Sequence, residues 1–93
     1  MFLEICKASY VRDYKIELEF NNGEIYLVDF ENELNAPVFI PLRDKTFFEN
    51  FSIVYNTVEW KNGADFAPEY LYELAKFQNQ IASEPISEYG MKK

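Results

Sequence analysis

The chain has 93 residues, enough for one small domain, and 48% of them are hydrophobic and 18% aromatic, which excludes a disordered chain. Sixteen acidic against nine basic residues give a formal net charge of −7, and the basic residues are scattered, so direct nucleic-acid binding is disfavoured. The lack of histidine excludes Ser-His-Asp and Cys-His catalysis and most zinc sites.

The first part of the chain predicts strands joined in a hairpin. Residues 3–11 indicate a first strand, and a second follows from Tyr14 with strict alternation of polar and apolar side chains. Its polar face carries Lys15, Glu17 and Glu19, and its apolar face carries Ile16, Leu18 and Phe20. Asn21-Asn22-Gly23 favours a tight turn, with Gly23 serving backbone geometry, and Glu24 to Asp29 forms the return strand.

The sequence leaves the register of this hairpin open. A two-residue turn pairs Leu18 with Leu27 and turns Tyr26 and Val28 outward, whereas a three-residue turn pairs Leu18 with Tyr26 and turns Leu27 outward. Either register leaves an apolar second face, covered by another element of this chain or by a partner. The expected partner surface comprises Glu17, Glu19, Tyr26, Val28, Glu31 and Glu33.

The middle of the chain predicts short, irregular elements. An acidic turn over residues 31–35 precedes a segment with two prolines, Pro37 and Pro41, which are expected to prevent a central strand or a helix interior. Asp44 is a candidate N-cap for a short phenylalanine-rich helix. Residues 52–55 and 57–60 predict a second hairpin around Asn56.

Pro68 begins the last predicted element, an amphipathic helix. Its apolar positions are Tyr70, Leu71, Leu74, Phe77 and Ile81. The helix is expected to end at Ser83-Glu84-Pro85. The sequence thus predicts a single α+β domain over residues 1–82, in which a small antiparallel sheet of hairpins packs against both helices, and a mobile tail over residues 83–93.

The remaining candidates for chemistry are weak. Asp29, Glu31 and Glu33 alternate as in a calcium loop, but Leu34 stands where glycine is required, so no metal or cofactor is expected. Cys6 is expected to be a small core residue. With no signal peptide and no apolar run of about 18 residues, we expect a cytoplasmic protein without membrane contact.

The run from Trp60 to Pro68, WKNGADFAP, is the most specific feature of the sequence. One interpretation is a structural strand-to-helix corner, in which Gly63 and Pro68 fix the backbone. The other is a recognition site lined by Trp60, Asn62 and Asp65. The residues alone favour the structural interpretation.

Several segments together resemble a bacterial family known as domain of unknown function 2442. They are Asp13-Tyr14 with the strand to Phe20, Asn22-Gly23-Glu24, Asp29, residues 38–44, Phe48, the Trp60 to Pro68 run, and Leu71-Tyr72. The chain departs from the family at Lys61, where proline is common. The resemblance implies an α+β domain without established catalytic activity. It also implies genes often placed beside another small protein, as in toxin–antitoxin-like pairs.

The hypothesis that follows is a non-catalytic interaction module, the acidic partner of a small basic protein. Two alternatives stay open. One is a homodimeric scaffold or sensor that buries the second face of the return strand against another copy. The other is a small-ligand site or an enzyme around Trp60 and Asp65, which ranks last because no base with a suitable pKa is present.

Overall fold

The computed structural model describes residues 2–83, with side chains described for residues 2–79. In chain order the elements are β1 (Ile5–Arg12), β2 (Lys15–Phe20), β3 (Ile25–Asp29), 3₁₀ segments Glu31–Glu33 and Pro37–Arg43, α1 (Lys45–Phe48), β4 (Ser52–Val54), β5 (Thr57–Glu59) and α2 (Pro68–Ser83). Strands β1, β2 and β3 form one antiparallel sheet in that order, and β4 and β5 form a second. This is the predicted α+β fold.

The hairpin between β2 and β3 adopts the register of a three-residue turn. Leu18 pairs with Tyr26 and Glu19 with Ile25, while Gly23 has a φ of 90° that suits glycine. Asn22 reinforces the turn, since its side-chain oxygen accepts a hydrogen bond of 3.0 Å from the Glu24 N–H. Val28 therefore points into the core and is fully buried, so its expected place on a partner surface is wrong.

The proline-containing segment differs from the prediction. Pro37–Arg43 forms 3₁₀ turns with Pro41 in the interior, although a helix interior was not expected there. A 3₁₀ turn needs a φ close to that of the proline ring, and short consecutive turns tolerate the missing N–H. The predicted cap after it is confirmed: the Asp44 carboxylate accepts a hydrogen bond of 3.0 Å from the Thr46 N–H at the start of α1.

One contiguous cluster of apolar side chains forms the core between the sheets and the helices. Its centre is aromatic. Phe48 stacks on Trp60 with ring centroids 5.7 Å apart, and Phe30 meets both rings edge to face. Edge-to-face contacts between such rings stabilise a small core beyond the area that they bury.

Helix α2 packs on β3 with a face rotated from the predicted one: Leu71 and Leu74 pack on the core as predicted, but Tyr70 and Phe77 do not. Leu71 and Ala75 are fully buried, whereas Tyr70 and Phe77 are 48% and 59% exposed. A polar contact explains the rotation. The Gln78 side chain accepts a hydrogen bond from the Asp29 N–H and donates one to the Asp29 carbonyl, both of 2.9 Å, and so pairs with the free edge of β3 as a strand would.

The predictions for the end of the chain and for Cys6 have different outcomes. The tail that was expected to be mobile lies outside the described residues, apart from Ser83, which ends α2. Cys6 is exposed on β1, so the expectation that it is a core residue is wrong. Within residues 2–83, no helix is both long and apolar enough to cross a membrane.

Candidate binding groove

Trp60 is a core residue. Its side chain is 2% exposed, and its indole N–H donates a hydrogen bond of 2.7 Å to the buried carbonyl of Phe48. The bond pairs the indole nitrogen with the carbonyl oxygen in the interior, where either group would be costly to leave unpaired. The structural interpretation therefore applies to this residue.

Asn62 and Gly63 hold the turn that follows. The Asn62 amide donates to the Val38 carbonyl at 2.9 Å, and its oxygen accepts from the Ala64 N–H at 3.1 Å. Gly63 has a φ of 88°, which L side chains rarely adopt. These contacts tie the turn to the 3₁₀ segment Pro37–Arg43, so the Asn62 side chain is already occupied within the fold.

Of Trp60, Asn62 and Asp65, only Asp65 lines the groove described next. Its backbone is fixed by a bridge to Glu59, and its carboxylate is exposed. Within the described residues, no ion pair reaches this carboxylate. The adjoining groove has a volume of about 400 Å³ and is called the α2 groove below. Its lining residues are Asn32, Glu33, Asn35, Ala36, Phe39, Asp65, Phe66, Ala67 and Tyr70.

Three aromatic rings form an almost parallel series along the α2 groove. Phe39 stacks on Phe66 with centroids 4.5 Å apart and planes 3° apart, and Phe66 stacks on Tyr70 at 6.0 Å and 11°. Phe66 is anchored in the core at 7% exposure, whereas Tyr70 is half exposed. The series therefore has a rigid centre and an accessible end.

Polar groups at the rim are held by contacts from neighbouring elements. The Tyr70 hydroxyl donates a hydrogen bond to Glu33 Oε1, which raises the pKa of Tyr70, with burial adding to the effect. Asn35 is positioned by Arg43, whose guanidinium donates to the Asn35 side-chain oxygen at 2.7 Å and to the Leu34 carbonyl at 3.1 Å. Glu33 and Asn35 are thus held in defined positions at the groove.

The predicted partner surface does not form one patch. Glu33 lines the α2 groove, and Glu31 lies on the same 3₁₀ turn, Glu31–Glu33. Glu17 and Glu19 lie instead on the outer face of the three-stranded sheet. Tyr26 is half-buried against Phe20 and Tyr72, so it faces the interior.

The outer sheet face carries charges of both signs. Lys7 lies across the strands from Glu19 in the register, and the Lys15 ammonium lies 3.7 Å from the Asp29 carboxylate. The two charged residues that line the α2 groove, Glu33 and Asp65, are instead both acidic.

Of the residues that line the groove, sequence reasoning found only Glu33 and Asp65. It missed Phe39, which lies in the segment predicted to be irregular, and Tyr70, which the helical pattern places on the buried face. No periodic signal could have found Phe39, because residues 37–43 and 60–67 meet only in the tertiary structure. Among the described residues, no group of three or more carboxylates or thiols is placed to hold a metal ion.

Comparisons with known proteins identify a family and a fold. The family model described as "Protein of unknown function (DUF2442)" matches residues 5–77. No curated protein matches the chain. Among solved structures, one similar protein is "Putative DNA Binding Protein NE0471" from Nitrosomonas europaea, with a TM-score of 0.76 and 24% identity. The match covers 86% of this chain and 53% of that one, so this chain spans about half the length of its structural relative.

Proposed function

The chain belongs to the family of proteins of unknown function DUF2442, and from this premise we propose that it is a protein-interaction module that binds a small basic protein. The α2 groove carries the proposal. It combines the aromatic side chains of Phe39, Phe66 and Tyr70 with the carboxylates of Glu33 and Asp65, on a chain with a net charge of −7. Such a surface attracts cationic partners and speeds their association at low salt.

The structural relative is described as a "Putative DNA Binding Protein", and we do not extend that role to this chain. Nearly half of that protein lies outside the match, and the likeness at 24% identity concerns the fold. The acidic net charge opposes contact with a phosphate backbone, which requires clustered lysine and arginine. A protein partner is therefore preferred over a nucleic acid.

Co-expression with the product of the adjacent gene tests the proposal. We expect a complex that survives gel filtration at about 50 mM salt and weakens at about 500 mM, where charges are screened over roughly 4–5 Å. A second arm measures binding to duplex DNA under both conditions. The absence of any protein complex at low salt, or DNA binding by this chain, would overturn the proposal.

A homodimer is a second candidate, favoured by the outer face of the three-stranded sheet. Ile25 and Leu27 are 55% and 41% exposed there, and Val11 is 42% exposed. Lysines and carboxylates both lie around them, so a second copy of the same face could form symmetric ion pairs.

Sedimentation equilibrium separates the two candidates. A dimer that dissociates in a variant with serine at positions 25 and 27 supports the sheet face as the interface. A monomer at a protein concentration of several hundred micromolar removes the homodimer, and leaves the α2 groove proposal untouched.

A further inference from the structure

The geometry points to an arginine side chain of the partner as the group that occupies the α2 groove. This inference rests on the proposed interaction function and specifies its chemistry. A guanidinium is planar, carries a permanent positive charge and stacks on aromatic faces, and its five N–H groups donate to carboxylates and carbonyls. The α2 groove offers each of these complements.

The exposed end of the aromatic series matches the planar shape of the ligand. Phe39, Phe66 and Tyr70 are held nearly parallel, with interplanar angles of 3° and 11° between neighbours. Phe66 is fixed by edge-to-face contacts with Phe30 and Trp60 in the core. Because the rings stack on one another, the ring whose face a flat cation can cover is the half-exposed Tyr70 at the end of the series, and its fixed orientation lowers the entropy lost on binding.

The carboxylates at the rim match the positive charge of a guanidinium. Asp65 has an exposed carboxylate, and within the described residues no ion pair neutralises it or Glu33. Tyr70 contacts only one carboxylate oxygen of Glu33, so the other stays available to accept a hydrogen bond. Glu33 and Asp65 come from two different segments that line the same groove, so a cation bound there can make a charge-assisted contact with each.

The nearest competing cation inside the fold is already engaged. Arg43 directs its guanidinium to the Leu34 carbonyl and to Asn35, so it braces the rim. Lysine would satisfy the charge but not the planar stacking. An anion is disfavoured because the groove's charged groups, Glu33 and Asp65, are both acidic.

NMR titration with Nα-acetyl-arginine amide tests the inference at about 20 mM salt, with Nα-acetyl-citrulline amide as the uncharged analogue of the same shape. We expect arginine-specific shifts of the backbone amides of Asn35, Asp65 and Phe66. The variant D65N should weaken arginine binding about fivefold or more, as loss of a charge-assisted contact predicts. The control E17Q, which removes an exposed carboxylate from the sheet face, should not change it.

The outcomes separate this inference from the proposed function. Shifts confined to other surfaces, equal shifts with citrulline, or equal binding by D65N and the wild type would overturn the arginine site. If the neighbouring protein still forms a complex in that case, the interaction function stands without it. Arginine binding in the α2 groove together with no protein complex would support the site and overturn the function.

Discussion

Replacing Trp60 with phenylalanine tests whether the most specific run of the sequence is structural. The substitution removes the indole N–H, which donates a hydrogen bond of 2.7 Å to the Phe48 carbonyl. That carbonyl is then unpaired in the interior, at a cost of about 1–3 kcal/mol. The smaller ring also leaves a partial cavity beside Phe30 and Phe66, which adds about 1 kcal/mol. The free energy of unfolding should fall by about 2–4 kcal/mol.

Urea unfolding followed by far-UV circular dichroism measures this loss, since Trp60 is the only tryptophan and fluorescence disappears with it. A loss of 2 kcal/mol lowers Tm by about 8–16 °C in a domain of this size. The control Y55F changes a ring that is 92% exposed and should stay within about 0.5 kcal/mol of the wild type. A W60F variant as stable as Y55F would refute the buried role of Trp60.

Three further predictions concern α2, one tyrosine and one turn. Q78A should lower the free energy of unfolding by about 1–3 kcal/mol in urea titrations, because it frees both backbone groups of Asp29, and E73A on the exposed side of α2 should change it little. The hydrogen bond to Glu24 raises the pKa of Tyr26 to about 12. The stability that this bond provides is therefore complete below pH 10 and is lost as the pH rises through about 12. The unfolding free energy of Y26F should decline less over this range than that of the wild type, and an equal decline would contradict the assignment. G63A should cost about 1–2 kcal/mol through its φ of 88°, although open space surrounds the added methyl group, and a neutral result in thermal unfolding would show that the turn rearranges.

Acid should weaken the hydrogen bonds that Tyr26 and Tyr72 donate to Glu24. Hydrogen bonds from Tyr26 and Tyr72 lower the pKa of Glu24 below its ordinary value of 4.5. The stability that these bonds provide is therefore complete above pH 4.5 and is lost as the pH falls through the lowered pKa. E24Q should flatten the dependence of the unfolding free energy on pH in this range, whereas E17Q should leave it as in the wild type.

The candidate site was only partly predictable. Asp65 could be singled out because it is the only carboxylate in the constrained strand-to-helix corner from Trp60 to Pro68. Phe39 and Tyr70 could not, since their rings meet Phe66 only after distant segments pack together. Trp60 was a candidate for recognition by its rarity, and burial against Phe48 assigns it to the core.

Local chemistry determined the elements whose causes lie within a few residues. The alternation from Lys15 to Phe20 specified a half-buried strand, Asp44 specified a helix start, and Pro68 specified another, because side-chain period, capping and a fixed φ act over one or two turns. The resemblance carried by the Trp60 to Pro68 run identified the family.

The tertiary structure decided which faces are buried. Both hairpin registers satisfied the sequence, and the choice that buries Val28 and exposes Leu27 depends on where α2 lies against β3. The face of α2 was likewise selected by Gln78 pairing with the strand edge, a polar contact 49 residues distant in sequence that no apolar pattern records. Competition among distant surfaces for burial and for backbone hydrogen bonds is a property of the assembled fold, so it also decided that Asp65, and not Trp60, lines the α2 groove.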